Sequence, residues 1–202
     1  MKKIFKFKIS NFKLRTGFTM IELLIVIAVL GVLAVAVLSA INPIEQINRG
    51  RDTGSRSDAE QLLSAFDRFY TSQQIYPWQR PAASPADPEA IPLNNGAMQI
   101  VDTSWLDPGG AVILNKLSAV GAEELKQSFI TRIETQPAAN RLRVYARGTV
   151  GDTVYVCFQS RSGSFDTEAR ARCTAGLPPD LIDQLAIVCP TAKGSRAFIC
   201  LP

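Results

Sequence analysis

Hydrophobic and polar positions divide the chain into stretches of different period. Residues 18–41 read FTMIELLIVIAVLGVLAVAVLSAI, and only Thr19, Glu22, Gly31 and Ser39 fall outside the apolar set. No stripe separates an apolar face from a polar one, so a helix built from this run is apolar on every side, as a membrane span is. At 1.5 Å per residue its 24 positions reach roughly 36 Å, against a bilayer core of about 30 Å. The period then changes. Asn42-Pro43-Ile44-Glu45 is a helix-start signature, with Asn as N-cap, Pro at the first helical position and Glu close behind. The same Pro43 can instead kink one continuous helix. Ile44, Ile47, Ala59, Leu62, Leu63, Phe66, Phe69 and Tyr70 recur at three- and four-residue steps, which predicts an amphipathic stem helix over 42–76 with one face on a core. Gly50-Arg51-Asp52-Thr53-Gly54-Ser55 is poor in helix formers and predicts a weak or bent stretch near 50–55.

Residues 77–110 hold six of the twelve prolines and read as an irregular surface loop. Between Val112 and Ile133, the positions Ile113, Leu114, Leu117, Val120, Leu125, Phe129 and Ile133 follow helical spacing broken by Gly121, so one or two short helices are expected. Leu142, Val144 and Ala146 alternate with Arg141, Arg143, Tyr145 and Arg147, and Val154, Val156 and Phe158 alternate with Tyr155 and Cys157. Two period-2 runs around a Gly-containing turn predict an antiparallel hairpin, and Ala197–Leu201 supplies a third strand. The class expected is α+β: a long N-terminal helix, half apolar and half amphipathic, on a small antiparallel sheet, with the globular part over 111–202.

Composition narrows the chemistry. The 202 residues suit one ordinary domain and a little more, and 47% hydrophobic with 20% charged positions exclude disorder along most of the chain. Histidine is absent, which removes Ser-His-Asp and Cys-His nucleophile systems and the commonest zinc ligand. The net charge of +4 is local: Lys2, Lys3, Lys6, Lys8, Lys13 and Arg15 give residues 1–17 a charge of +6, leaving 16 basic and 18 acidic side chains elsewhere, a net of −2. No nucleic-acid partner is expected from that balance. The six positive charges before the apolar run outnumber Arg49, Arg51 and Arg56 after it, so the positive-inside rule keeps the N-terminus in the cytoplasm and exports the rest. Exported, the four cysteines Cys157, Cys173, Cys189 and Cys200 are expected as disulfides. Three connectivities are open, and the local one, Cys157–Cys173 with Cys189–Cys200, is chosen. Asp58, Glu60 and Asp67 read as a solvated helix face. With no nucleophile or metal set beside them, no enzyme, catalytic residue, metal or cofactor is expected.

Glu22 is the residue out of place, an acid inside an apolar run. It is costly there if it sits deep, and useful at a helix N-terminus if it sits near the interface. The string Gly17-Phe18-Thr19-Met20-Ile21-Glu22-Leu23-Leu24 resembles the N-terminal cleavage and methylation motif of type IV prepilins and type II secretion pseudopilins, with Met20 standing for the usual Leu. The resemblance is firm over residues 13–48 and weaker through about Pro77. It implies a basic leader over 1–17, cut by prepilin peptidase between Gly17 and Phe18, and N-methylation of Phe18. It also implies an assembly helix over 18–41, in which the Glu22 carboxylate pairs with the Phe18 amine of a neighbouring copy. Pairing a buried carboxylate with a buried ammonium relieves a penalty that each suffers alone. The partners implied are further copies of the chain, the peptidase-methyltransferase, an inner-membrane assembly machine and membrane lipid. The location implied is the bacterial cytoplasmic membrane, then a surface filament or periplasmic pseudopilus.

Three alternatives stand beside this reading. An ordinary signal peptide would be cut near Ala34-Val35-Ala36 or Leu38-Ser39-Ala40, but the apolar run from Leu23 to Leu38 is long for an h-region. Within the family, the major pseudopilin branch carries a calcium loop of carboxylates near its C-terminus, whereas nothing acidic follows Asp183 here. A pilus or pilus-like subunit is therefore favoured over that pseudopilin. An adhesin-like minor pilin, binding a ligand through its loops, is the further alternative.

Overall fold

The apolar run folds as one helix, α1 (Met20–Ala40). The structure is a computed structural model that describes residues 17–79, 97–107, 109–119, 121–148 and 152–202. The chain divides into two units, Met1–Asn42 and Pro43–Pro202. In the first, α1 ends where Ile41 turns to extended backbone (φ −97°, ψ 124°). None of its apolar span is buried within the single chain, so Leu23, Leu30 and Leu38 all stand more than half exposed.

The second unit starts with α2 (Pro43–Gln73). Pro43 opens this helix, at the position where a missing N–H costs nothing. The helix runs unbroken through 50–55, the stretch expected to be weak. Its core face is Ala59, Leu62, Ala65, Phe66 and Phe69. Ile44 and Ile47, expected on that face, are instead 68% and 56% exposed, and Tyr70 is 42% exposed. Burial on α2 begins only at Asp52, where the segment Arg161–Ser162 reaches the helix.

The sheet consists of β1 (Gln99–Ile100), β2 (Arg143–Tyr145), β3 (Tyr155–Gln159) and β4 (Phe198–Leu201), in that spatial order. Every neighbouring pair is antiparallel. Side chains alternate between its faces, and both faces are buried. One carries Val144, Val156, Phe158 and Ile199, clustered with the α2 face, Trp78, Trp105, α3 (Ile113–Ser118) and α4 (Gln127–Glu134). The other carries Tyr145, Tyr155, Cys157 and Phe198, packed with Met98, Leu181 and Val188. The break between α3 and α4 falls at Gly121, whose φ of +96° disfavours any side chain.

The described flanks of the proline-rich segment are not a surface loop. Trp78, Val101 and Trp105 are buried, and β1 pairs with β2. The aromatic rings of Phe66, Trp78 and Trp105 pack against one another with centroids 5.2–6.1 Å apart, a large apolar area that proline content does not reveal. Residues 80–96 lie outside the described residues. After the sheet's third strand, α5 (Gly163–Ala175) ends at Gly176 (φ 98°). A short 3₁₀ turn, Ile182–Gln184, and α6 (Leu185–Val188) then lead to β4. The architecture is α+β, with a long apolar N-terminal helix, a small antiparallel sheet of four strands among the described residues, and two disulfides in the C-terminal region.

Candidate processing and assembly site

At the head of α1, Thr19 is the N-cap (φ −75°, ψ 150°) and Glu22 occupies the third helical position. The Thr19 backbone N–H and its hydroxyl both donate to Glu22 Oε2 at 2.8 Å, and the Glu22 N–H donates to Thr19 Oγ1 at 3.3 Å. This capping box satisfies two amide groups that the helix end otherwise leaves unpaired, and it places an acid at the positive end of the helix dipole. The motif that reads as a processing signal is therefore also a helix start. Glu22 Oε1 takes no hydrogen bond among the described residues, and the carboxylate is exposed. Phe18 beside it is 85% exposed. At Gly17 an added Cβ would meet nothing within 4 Å, so the chain's own packing does not require glycine at that position.

The four cysteines do pair, but with different partners from those expected. Cys157 bonds to Cys200, with 4.0 Å between their Cα atoms, and Cys173 bonds to Cys189, at 5.9 Å. This corrects the pairing Cys157–Cys173 with Cys189–Cys200. The reason is strand register: β3 and β4 are antiparallel neighbours with Cys157 directly opposite Cys200, so the sheet returns the C-terminus to a residue 43 positions away. The second bridge ties the end of α5 to the end of α6.

Two acids of α2 form a feature that sequence reasoning missed. Asp52 is fully buried, where its carboxylate accepts from Arg161 N (3.0 Å), Ser162 N (2.8 Å) and Ser162 Oγ (2.7 Å). Seven positions earlier, on the same helix face, Glu45 Oε1 accepts from Gly163 N at 2.9 Å. That bond holds the Glu45 carboxyl below the usual carboxylate range. The pair caps the N-terminus of α5 from outside. The available signal was the i, i+7 spacing of the two acids, set against the helix start Ser162-Gly163-Ser164. Asp58, expected on a solvated face, is 8% exposed; Arg132 Nη1 donates to both its oxygens at 2.7 Å. Glu60 and Asp67 are exposed. Among the described residues no group of three His, Cys, Asp or Glu side chains is placed to hold a metal ion.

A family model described as the prokaryotic N-terminal methylation motif matches residues 13–38. No curated protein and no solved structure matches the chain. The matched stretch contains Gly17, Phe18, the capping box and most of α1. One helix among the described residues, Met20–Ser39, is long and apolar enough to cross a membrane, which fits a membrane-anchored pilin. The motif points to a structural subunit, processed by prepilin peptidase and assembled into a filament. The chain carries the N-terminal signal of type IV pilins and pseudopilins, and reads as a type IV pilin-like or pseudopilin precursor.

Proposed function

We propose that the chain is a structural subunit of a type IV pilus or pilus-like filament, polymerised through α1. Prepilin peptidase cuts between Gly17 and Phe18 on the cytoplasmic side, and Phe18 becomes the N-methylated terminus. The 43–202 part is exported while α1 remains in lipid, in contact with the assembly machine. On extraction into the filament, α1 helices of neighbouring copies bury one another. The Glu22 carboxylate then meets the Phe18 ammonium of the next copy. Methylation leaves that amine basic, so the pair survives the modification, and a copy docked out of register leaves both charges unmatched.

The observation that carries this reading is the coincidence of the matched motif with an unpartnered apolar helix headed by a capped, exposed acid. A helix apolar on every side needs either lipid or like helices around it. Intact-mass measurement on protein extracted from membranes tests the processing step. A chain beginning at Phe18 with one added methyl agrees with the reading. A chain that keeps residues 1–17, or one cut near Ala36 or Ala40, contradicts it.

A further inference from the structure

The overall charge of the exported part is nearly balanced, yet its arginines are not evenly distributed. A cleft of about 390 Å³ between α2 and the 132–140 segment is lined by Arg51, Arg132 and Arg161, with Gly54, Ser55, Gln136 and Asn140 among its other walls. Arg132 is committed to Asp58. The guanidiniums of Arg51 and Arg161 make no hydrogen bond or ion pair among the described residues. Burial pushes the Arg161 guanidinium down; Asp52 beneath it opposes that effect and Arg51 adds to it. Asp52 itself is taken up by backbone N–H groups and the Ser162 hydroxyl. Two like charges thus converge on one concavity whose only lining carboxylate among the described residues, Asp58, is already paired. The floor is open at Gly54, where a Cβ would meet nothing within 4 Å. A glycine inside a helix costs helix stability, and here it leaves that part of the cleft wall without a side chain.

We propose that this cleft is a binding site for a phosphate group. Arg51 and Arg161 supply planar donor forks that match phosphate oxygens, and the Ser55 hydroxyl and the Gln136 and Asn140 amides add neutral donors at its rim. A bound phosphate anion offsets the repulsion between the two guanidiniums, and Asp58 in the cleft wall is paired with Arg132. The phosphate can be free or carried on an anionic lipid. Arg51 lies 11 residues beyond Ala40, the last residue of α1.

The test uses the full chain. In neutral detergent at low salt, isothermal titration with pyrophosphate is expected to give saturable one-to-one binding. Arg51→Gln and Arg161→Gln should each weaken it by roughly 10-fold or more, the scale of a lost charged hydrogen bond, and Gly54→Leu should abolish it by filling the floor. The unliganded melting temperatures of Arg51→Gln and Arg161→Gln should stay close to that of the parent chain, because neither guanidinium makes a hydrogen bond or ion pair among the described residues. Arg147→Gln, on the surface outside the cleft, should bind normally. In parallel, the chain is melted in phosphatidylcholine nanodiscs with and without phosphatidylglycerol, followed by Trp78 and Trp105 fluorescence. A phosphatidylglycerol-dependent upward shift lost in both arginine variants, without pyrophosphate binding, assigns the site to a lipid headgroup. Saturable pyrophosphate binding that needs both arginines assigns it to soluble phosphates. Neither response, or responses unchanged in all three cleft variants, overturns the proposal.

Discussion

Replacing Asp52 by alanine removes the acceptor that joins α2 to the start of α5. Two of its bonds, to Ser162 N and Ser162 Oγ, are buried, and the third donor, Arg161 N, is partly buried. The Ser162 hydroxyl can turn to Ser164 Oγ, 3.3 Å away, and water can reach Arg161 N. The Ser162 amide has neither escape, and a buried donor left unpaired costs about 1–3 kcal/mol. Loss of a negative charge at the α5 N-terminus adds about 0.5–2 kcal/mol. The substitution also relieves the cost of burying a carboxylate, so the net loss is about 2 kcal/mol, a sizeable part of the 5–15 kcal/mol typical of a domain. Asp52→Asn keeps one oxygen that can face Ser162 N and should lose about half as much. The assay is denaturant unfolding of the full chain in neutral detergent, read by the fluorescence of the two buried tryptophans, Trp78 and Trp105. Asp67→Ala, on an exposed position of the same helix, serves as control and should stay within about 0.5 kcal/mol. If Asp52→Ala loses less than about 1 kcal/mol, the anchoring role of Asp52 is refuted.

Acid should destabilise the 43–202 unit. Burial works against ionisation of Asp102, Asp107, Asp166 and Asp180, but hydrogen bonds, joined by a neighbouring cation at the first three, outweigh it and hold all four below the ordinary aspartate range. Glu134 is pushed the other way, by burial and Asp102. The unfolded chain therefore takes up protons first as pH falls. Stability is complete well above the unfolded carboxylate value of about 4 and drops as pH falls through the lower native values, which melting curves from pH 6 to 2 will show. At the alkaline end, burial and the Asp180 hydrogen bond push the Tyr155 phenol up to about 12. Its contribution is full below the unfolded value of about 10 and is lost as pH rises towards 12; Tyr155→Phe should flatten that limb. Peptide mapping of the oxidised chain should join Cys157 to Cys200 and Cys173 to Cys189, and a Cys157–Cys173 peptide would contradict the register of β3 and β4. Removing the 43-residue bridge should cost about 4 kcal/mol and the 16-residue one about 3 kcal/mol. Gly17→Leu should leave the 17-residue leader attached, read as the full precursor mass in membranes.

What the sequence revealed depended on whether the deciding contacts are local. α1 was legible because every side of it is apolar, a property of the run itself. The start of α2 at Pro43 and the core stripe from Ala59 to Phe69 follow from backbone chemistry and a 3.6-residue period. The hairpin of β2 and β3 was legible from alternation, and the position of β4 from its apolar run. The hidden features all depend on partners far away in the chain. Asp52 sits in a stretch of Gly, Thr and Ser that looks solvated, and its donors lie 109 and 110 residues on. The Cys157–Cys200 bridge depends on a strand register that no local spacing encodes. β1 and Trp105 were masked by the prolines around them, and Ile44 and Ile47 look like core because period alone cannot say where along a helix its packing partner begins.

The pairing of Glu22 with a neighbour's Phe18 amine is tested most directly by co-expressing the parent chain with a tagged Glu22→Val copy and measuring how much tagged chain enters sheared filaments. Glu22→Val keeps the apolar helix, so the tagged copy should be inserted in the membrane and cut before Phe18, yet be nearly absent from the filaments. Incorporation in proportion to its share of the membrane pool would contradict the assembly role of Glu22.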